Sequence, residues 1–128
     1  MQENPPRPTD AELEILTVLW SRGPSTVREV YETITGRRPA QYTTTLKLLQ
    51  IMAEKGLVRR NEEQRAHVYE AAQTQEWTQQ RLAGDLLRRA FDGSARSLMM
   101  GALSAGKTTK EELAELRKLL DEYEKRAK

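Results

Sequence analysis

The order of local signals along residues 9–71 constrains the fold more than any other feature of the chain. Thr9-Asp10-Ala11-Glu12 has the spacing of a capping box, in which the threonine hydroxyl accepts from the third helical N–H and the glutamate reaches back. Leu13, Ile15, Leu16, Leu19 and Trp20 then recur at helical spacing, and Gly23-Pro24 ends the run. Thr26-Val27-Arg28-Glu29 repeats the box and opens a short helix with Val27, Val30, Tyr31 and Ile34 on one side, stopped at Gly36. A third helix is predicted over 41–55, ending at Gly56, a residue type suited to the left-handed position after a helix. Leu57-Val58, a polar charged stretch, and His67-Val68-Tyr69-Glu70 predict a two-stranded hairpin over 57–71. Three helices and then a hairpin is the order of a winged helix-turn-helix.

The third helix carries the sharpest functional signal. At about 100° per residue, Tyr42, Thr45, Leu49, Met52 and Ala53 share one face, flanked by Leu46 and Leu48. Thr43, Thr44, Lys47, Gln50, Ile51 and Glu54 point the other way. A helix fits the major groove, where threonine meets base edges or a thymine methyl and lysine reaches guanine or phosphate. In isolation such a face reads more readily as solvated surface; its place between a short helix and a basic hairpin reverses that preference in favour of DNA. Thr43, Thr44 and Lys47 are therefore the predicted readers, with Gln50 beside them. Arg59, Arg60 and Arg65 on the hairpin suit phosphate contacts, although charges there also guard an exposed edge. Glu62 and Glu63 favour edge protection at the tip, which ranks Arg59 and Arg60 above Arg65. Arg37 and Arg38 precede the reading helix and suit flanking phosphates, as does Arg28 on the second helix. The lone histidine, His67, reads as structural or as a minor contact.

Charge placement agrees with this assignment. Between positions 22 and 69 nine basic side chains face five acidic ones, whereas positions 73–128 carry eleven bases and nine acids of alternating sign. The local excess steers a polyanion better than the net charge of +2 suggests. With no cysteine, disulfides, thiolate metal sites and thiol nucleophiles are excluded. One histidine, no glycine-rich phosphate loop and no His-Glu-x-x-His pattern leave an enzyme without support, and no metal site or cofactor is predicted. No run approaches a membrane span or a signal-peptide core, so a soluble, cytoplasmic chain is expected.

Beyond the hairpin the pattern is helical again. Trp77, Leu82, Leu86, Leu87, Ala90 and Phe91 mark a helix broken at Asp92-Gly93-Ser94, and Leu98, Met99, Ala102 and Leu103 mark a shorter one. Thr108-Thr109-Lys110-Glu111 reads as a third capping box ahead of Leu113, Leu116, Leu120 and Tyr123, a coiled-coil-like 3-4-3 seam. Long apolar stripes without a second layer predict burial against a partner chain, through Leu86, Leu98, Leu113, Leu116, Leu120 and Tyr123. The expected organisation is a flexible arm over 1–8, rich in proline, a winged-helix domain over 9–72 and a helical dimerisation domain over 73–128. Two rival readings are a winged-helix module that binds protein rather than DNA, and a regulator with an effector pocket between domain and arm.

These residues also form a familiar ordered set. Thr9-Asp10-Ala11-Glu12-Leu13-Glu14-Ile15-Leu16, Leu19-Trp20, Tyr42-Thr43-Thr44, Lys55-Gly56-Leu57-Val58 and Phe91-Asp92-Gly93-Ser94 resemble the penicillinase/methicillinase repressor (BlaI/MecI) family across nearly the whole chain. The resemblance implies a homodimeric repressor of an inverted-repeat operator, dimerised by its C-terminal helices, with a membrane-anchored metalloprotease sensor as a further partner. Two positions depart from the family pattern: Ile51 stands where a basic residue is common, and Met99-Met100-Gly101-Ala102-Leu103 stands where the sensor cleaves an Asn-Phe bond. Copper-responsive relatives carry C-terminal cysteines that this chain lacks.

Overall fold

The structure, a computed structural model, describes residues 5–127. Its first three helices are α1 (Asp10–Arg22), α2 (Val27–Thr35) and α3 (Tyr42–Lys55). Both predicted boxes form: Glu12 N–H donates to Thr9 Oγ1 and Glu29 N–H to Thr26 Oγ1, while each glutamate accepts from the N–H of its threonine. Each such cap is worth about 1 kcal/mol, and here it also fixes where the helix begins.

The hairpin is β2 (Val58–Asn61) and β3 (Val68–Ala71), with β1 (Ser25–Thr26) added along the other edge of β3. All pairings are antiparallel, with Val58 opposite Ala71, Arg60 opposite Tyr69, and Ser25 also opposite Tyr69. The sequence offered no sign of β1. Two polar residues carry no alternation, and this strand exists only because β3 supplies its partners. Ser25 is buried there, accepting from Arg22 Nε and donating to the Gly23 carbonyl.

A single core unites these elements. Ile15, Leu16, Val18 and Leu19 of α1 meet Val27, Val30 and Ile34 of α2, Leu49 and Met52 of α3, and Leu57, Val58 and Tyr69 of the sheet. Full burial of such side chains stabilises by about 1.5–3 kcal/mol each. The turn from α3 into β2 is set by Gly56, whose φ of +83° lets its N–H and that of Leu57 close on the last helical carbonyls.

Two compact units divide the chain, the first ending at Leu82 and the second starting at Ala83. The first therefore includes the opening turns of α4 (Gln75–Ala90): Thr78 is buried and the Trp20 indole N–H donates to the Gln73 carbonyl at 3.0 Å. Of the expected N-terminal arm, residues 1–4 lie outside the described residues. Pro5 is buried and lines a small apolar crevice with Leu16, Leu57, Trp77 and Leu82.

The second unit holds the rest of α4 with α5 (Ala95–Ala105) and α6 (Lys110–Arg126). Asp92 and Gly93 take positive φ at the break, Ser94 caps α5, and the Phe91 ring lies against Gly101. The third predicted box is corrected. Thr109, not Thr108, caps α6; it accepts from the Glu112 N–H, and no glutamate closes the box in return. With Thr-Thr at the boundary, the hydroxyl followed by Lys110-Glu111-Glu112 fixes the start one residue later.

Candidate nucleic-acid interface

α3 lies on the core through Thr45, Leu49 and Met52, so its opposite face is presented outward. Thr43, Lys47 and Gln50 form a row at i, i+4 and i+7 on that face, all exposed, and Ile51 is half-buried beside it. Thr44, also exposed, sits one step round the helix and lines a groove with Glu14, Arg38, Gln41 and Leu48. Unlike α1 and α2, α3 has no side-chain cap and no acid in its first turn. Its leading N–H groups and the positive end of its dipole are thus left for an anion.

Tyr42 sits differently from the sequence expectation. It begins the helix at the rim rather than in the inward stripe, 37% exposed, and packs edge-to-face on Tyr31 of α2 at 5.6 Å. The Arg28 guanidinium lies over the Tyr42 ring, 5.3 Å from its centre. The first turn of α3 holds more apolar-polar compromise than its period implies, because α2 crosses there.

The arginines divide by what already holds them. Arg38 grips Glu14 through Nε and Nη2 and donates to the Pro39 carbonyl from Nη1. That hydrogen-bonded contact, partly opposed by burial and helped by the charges of Arg38 and Arg37, holds the Glu14 carboxyl below its usual range. Arg38 thereby ties the turn before α3 to α1. Arg60 bonds Glu62 at 3.0 Å, and Tyr69 followed by the Glu62 charge raises its pKa. Arg59 donates to the Ala72 carbonyl at 3.0 Å and lies 3.7 Å from Glu70, yet its side chain is 67% exposed. Arg37 is exposed before α3, and Arg65 is exposed on the hairpin loop. Among the described residues, neither Lys47 nor Arg65 makes an ion pair or side-chain hydrogen bond.

One residue that matters to the position of α3 was visible only as a cap. Glu12, 1% exposed, accepts from the Thr9 N–H through Oε1 and from Lys55 Nζ at 2.7 Å through Oε2. The carboxylate thus joins the start of α1 to the last turn of α3. A partner 43 residues away leaves no local sequence signal.

Of the predicted dimerisation residues, Leu98, Leu113 and Leu116 are half-buried within their own chain. Leu86, Leu120 and Tyr123 are exposed, at 47%, 57% and 57%. Among the described residues no cluster of metal-ligating side chains occurs, and no helix is long and apolar enough to cross a membrane.

Comparison with known proteins supplies the family. The family model described as Penicillinase repressor matches residues 8–122. Transcriptional regulator BlaI of Mycobacterium tuberculosis is 38% identical over 88 residues, which is 68% of this chain and 64% of that protein. The chain thus spans a little under two thirds of that relative's length. The Penicillinase repressor of Bacillus licheniformis is 25% identical over 123 residues, 96% of each chain. Among solved structures, the DNA-binding domain of the repressor BlaI superposes with a TM-score of 0.51 at 24% identity, over 58% of this chain and 90% of that one. The monomeric form of Bacillus licheniformis BlaI in complex with the blaP half-operator gives 0.50 at 25% identity, over 57% and 89%. The winged-helix fold expected from the sequence is the fold observed.

Proposed function

The chain belongs to the penicillinase repressor family, and from that membership we propose that it is a sequence-specific transcriptional repressor that binds an inverted-repeat operator as a homodimer. It acts as a regulator rather than an enzyme, in the cytoplasm where the DNA lies. The observation that carries this reading is the row of Thr43, Lys47 and Gln50, exposed on a helix whose uncapped start faces outward and whose other side is locked into the core. Thr44 extends the reading surface. Arg37, Arg59 and Arg65, all exposed, are suited to phosphate contacts. Arg38 and Arg60 join them only by exchanging their carboxylates for the backbone.

Selection of bound duplexes from a random pool tests the proposal directly. An inverted repeat should emerge, with half-sites about one helical turn apart. Its affinity should fall steeply with salt, because phosphate contacts release counterions. Lys47→Ala should cost about 1–3 kcal/mol at one position of each half-site and relax the base preference there. Recovery of no common sequence, with salt-independent binding, is the result that defeats the reading.

A further inference from the structure

Arg28 differs from the other arginines around α3 in what supports it. Arg38 and Arg60 are each held by a carboxylate. Arg28 rests on an aromatic ring, and among the described residues its one carboxylate neighbour, Glu32, lies at the 4.0 Å limit with both side chains more than 60% exposed. We propose that Arg28, held over Tyr42, is a DNA-backbone contact, and that Tyr42 is a positioning residue acting through it. This rests on the DNA-binding reading above.

The physical case has three parts. Arg28 is the second residue of α2, and in a helix-turn-helix the helix before the reader crosses the DNA backbone. Tyr42 is the first residue of α3, next to Thr43, so the ring places the guanidinium beside the start of the reading row. Stacking on an aromatic face keeps the charge while restricting an otherwise mobile side chain, and leaves the edge donors of the fork free for phosphate oxygens. Tyr31, edge-on to Tyr42, holds the ring in turn. The whole device joins the two helices of the motif at their DNA-facing ends.

Binding to a random-sequence duplex of about 30 base pairs isolates backbone contacts, and anisotropy from about 50 to about 200 mM salt reads their number. Each phosphate contact adds about 0.9 to the salt slope, a factor of about 3.5 over that fourfold rise. Arg28→Ala should reduce the slope by about one per protomer bound and weaken binding about threefold to tenfold at the low-salt end. Tyr42→Ala should move affinity and slope in the same direction, and the double variant should be no worse than Arg28→Ala alone. Tyr42→Phe retains the ring and should bind within about twofold of the unaltered chain. An unchanged slope in Arg28→Ala, additive losses in the double variant, or failure of Tyr42→Phe to restore binding would each overturn the proposal while leaving DNA binding intact. If the unaltered chain binds no duplex, both readings fall.

Discussion

Glu12 shows how one side chain serves several ends. Its carboxylate closes the cap of α1 and accepts from Lys55 in the last turn of α3. Burial pushes this carboxyl up, but the Lys55 hydrogen bond, the Thr9 N–H and the Lys55 charge outweigh it, and its pKa falls below the ordinary 4.5. A depressed folded pKa means that the contribution is fully present above the unfolded value and is lost as pH falls through the folded one. Glu12→Gln keeps an acceptor for Thr9 but loses the charge-assisted bond, so it should cost about 1.5–3 kcal/mol at neutral pH. Urea unfolding should also show a shallower acid limb for this variant from about pH 5 downward. Parallel pH profiles for the two proteins would count against the pairing. The sequence announced Glu12 as a cap and nothing more, since local spacing reports only on groups within one turn. Arg38 is the mirror case: the basic turn was legible, but its engagement with Glu14, 24 residues away, was not.

At the level of elements, helices were legible wherever an apolar period and a cap agreed. α1, α2 and α3 begin and end within a residue or so of expectation because Thr9, Thr26, Gly23 and Gly56 punctuate the periodicity. The period of α3 placed Thr43, Lys47 and Gln50 outward correctly, since Thr45, Leu49 and Met52 fix the opposite side. It misplaced Tyr42, because in a first turn the neighbouring helix decides exposure, and here α2 offers Tyr31 and Arg28. β1 was invisible for a related reason: its two residues are a strand only by pairing with β3. Thr26 therefore does two jobs, opposing Val68 in the sheet and capping α2 through its hydroxyl. Thr26→Ala retains the backbone pairing and removes the cap, so it should destabilise by about 1 kcal/mol. In a domain of this size that is a fall in Tm of about 4–8 °C. Thr26→Ser should recover most of the loss, and equal losses for both variants would show that the hydroxyl is not the cause.

For the whole molecule, the second unit sets the remaining question. Neither α5 nor α6 contains a buried residue, although Met99, Met100, Leu103, Leu119, Leu120 and Tyr123 are all large and apolar. The seam anticipated along α6 divides in two. Leu113 and Leu116 are half-covered within the chain, while Leu120 and Tyr123 stand open, Tyr123 with Arg126 over its ring. A second copy is the occupant that the proposed inverted-repeat operator requires, because two-fold DNA symmetry is matched by a two-fold protein. Leu120 is the position at which to test this, since it contributes little to its own chain and burial of a leucine is worth about 1.5–3 kcal/mol. Light scattering at micromolar concentration should give twice the chain mass, and Leu120→Glu should shift it toward one. That variant should still bind an isolated half-site, because Thr43 and Lys47 lie in the other compact unit. On the full operator it should lose about 10²–10⁴ in apparent affinity, the advantage of joining two sites. A chain already monomeric before substitution, or a Leu120→Glu variant that binds the full operator undiminished, would mean that the open half of the seam is not what pairs the readers.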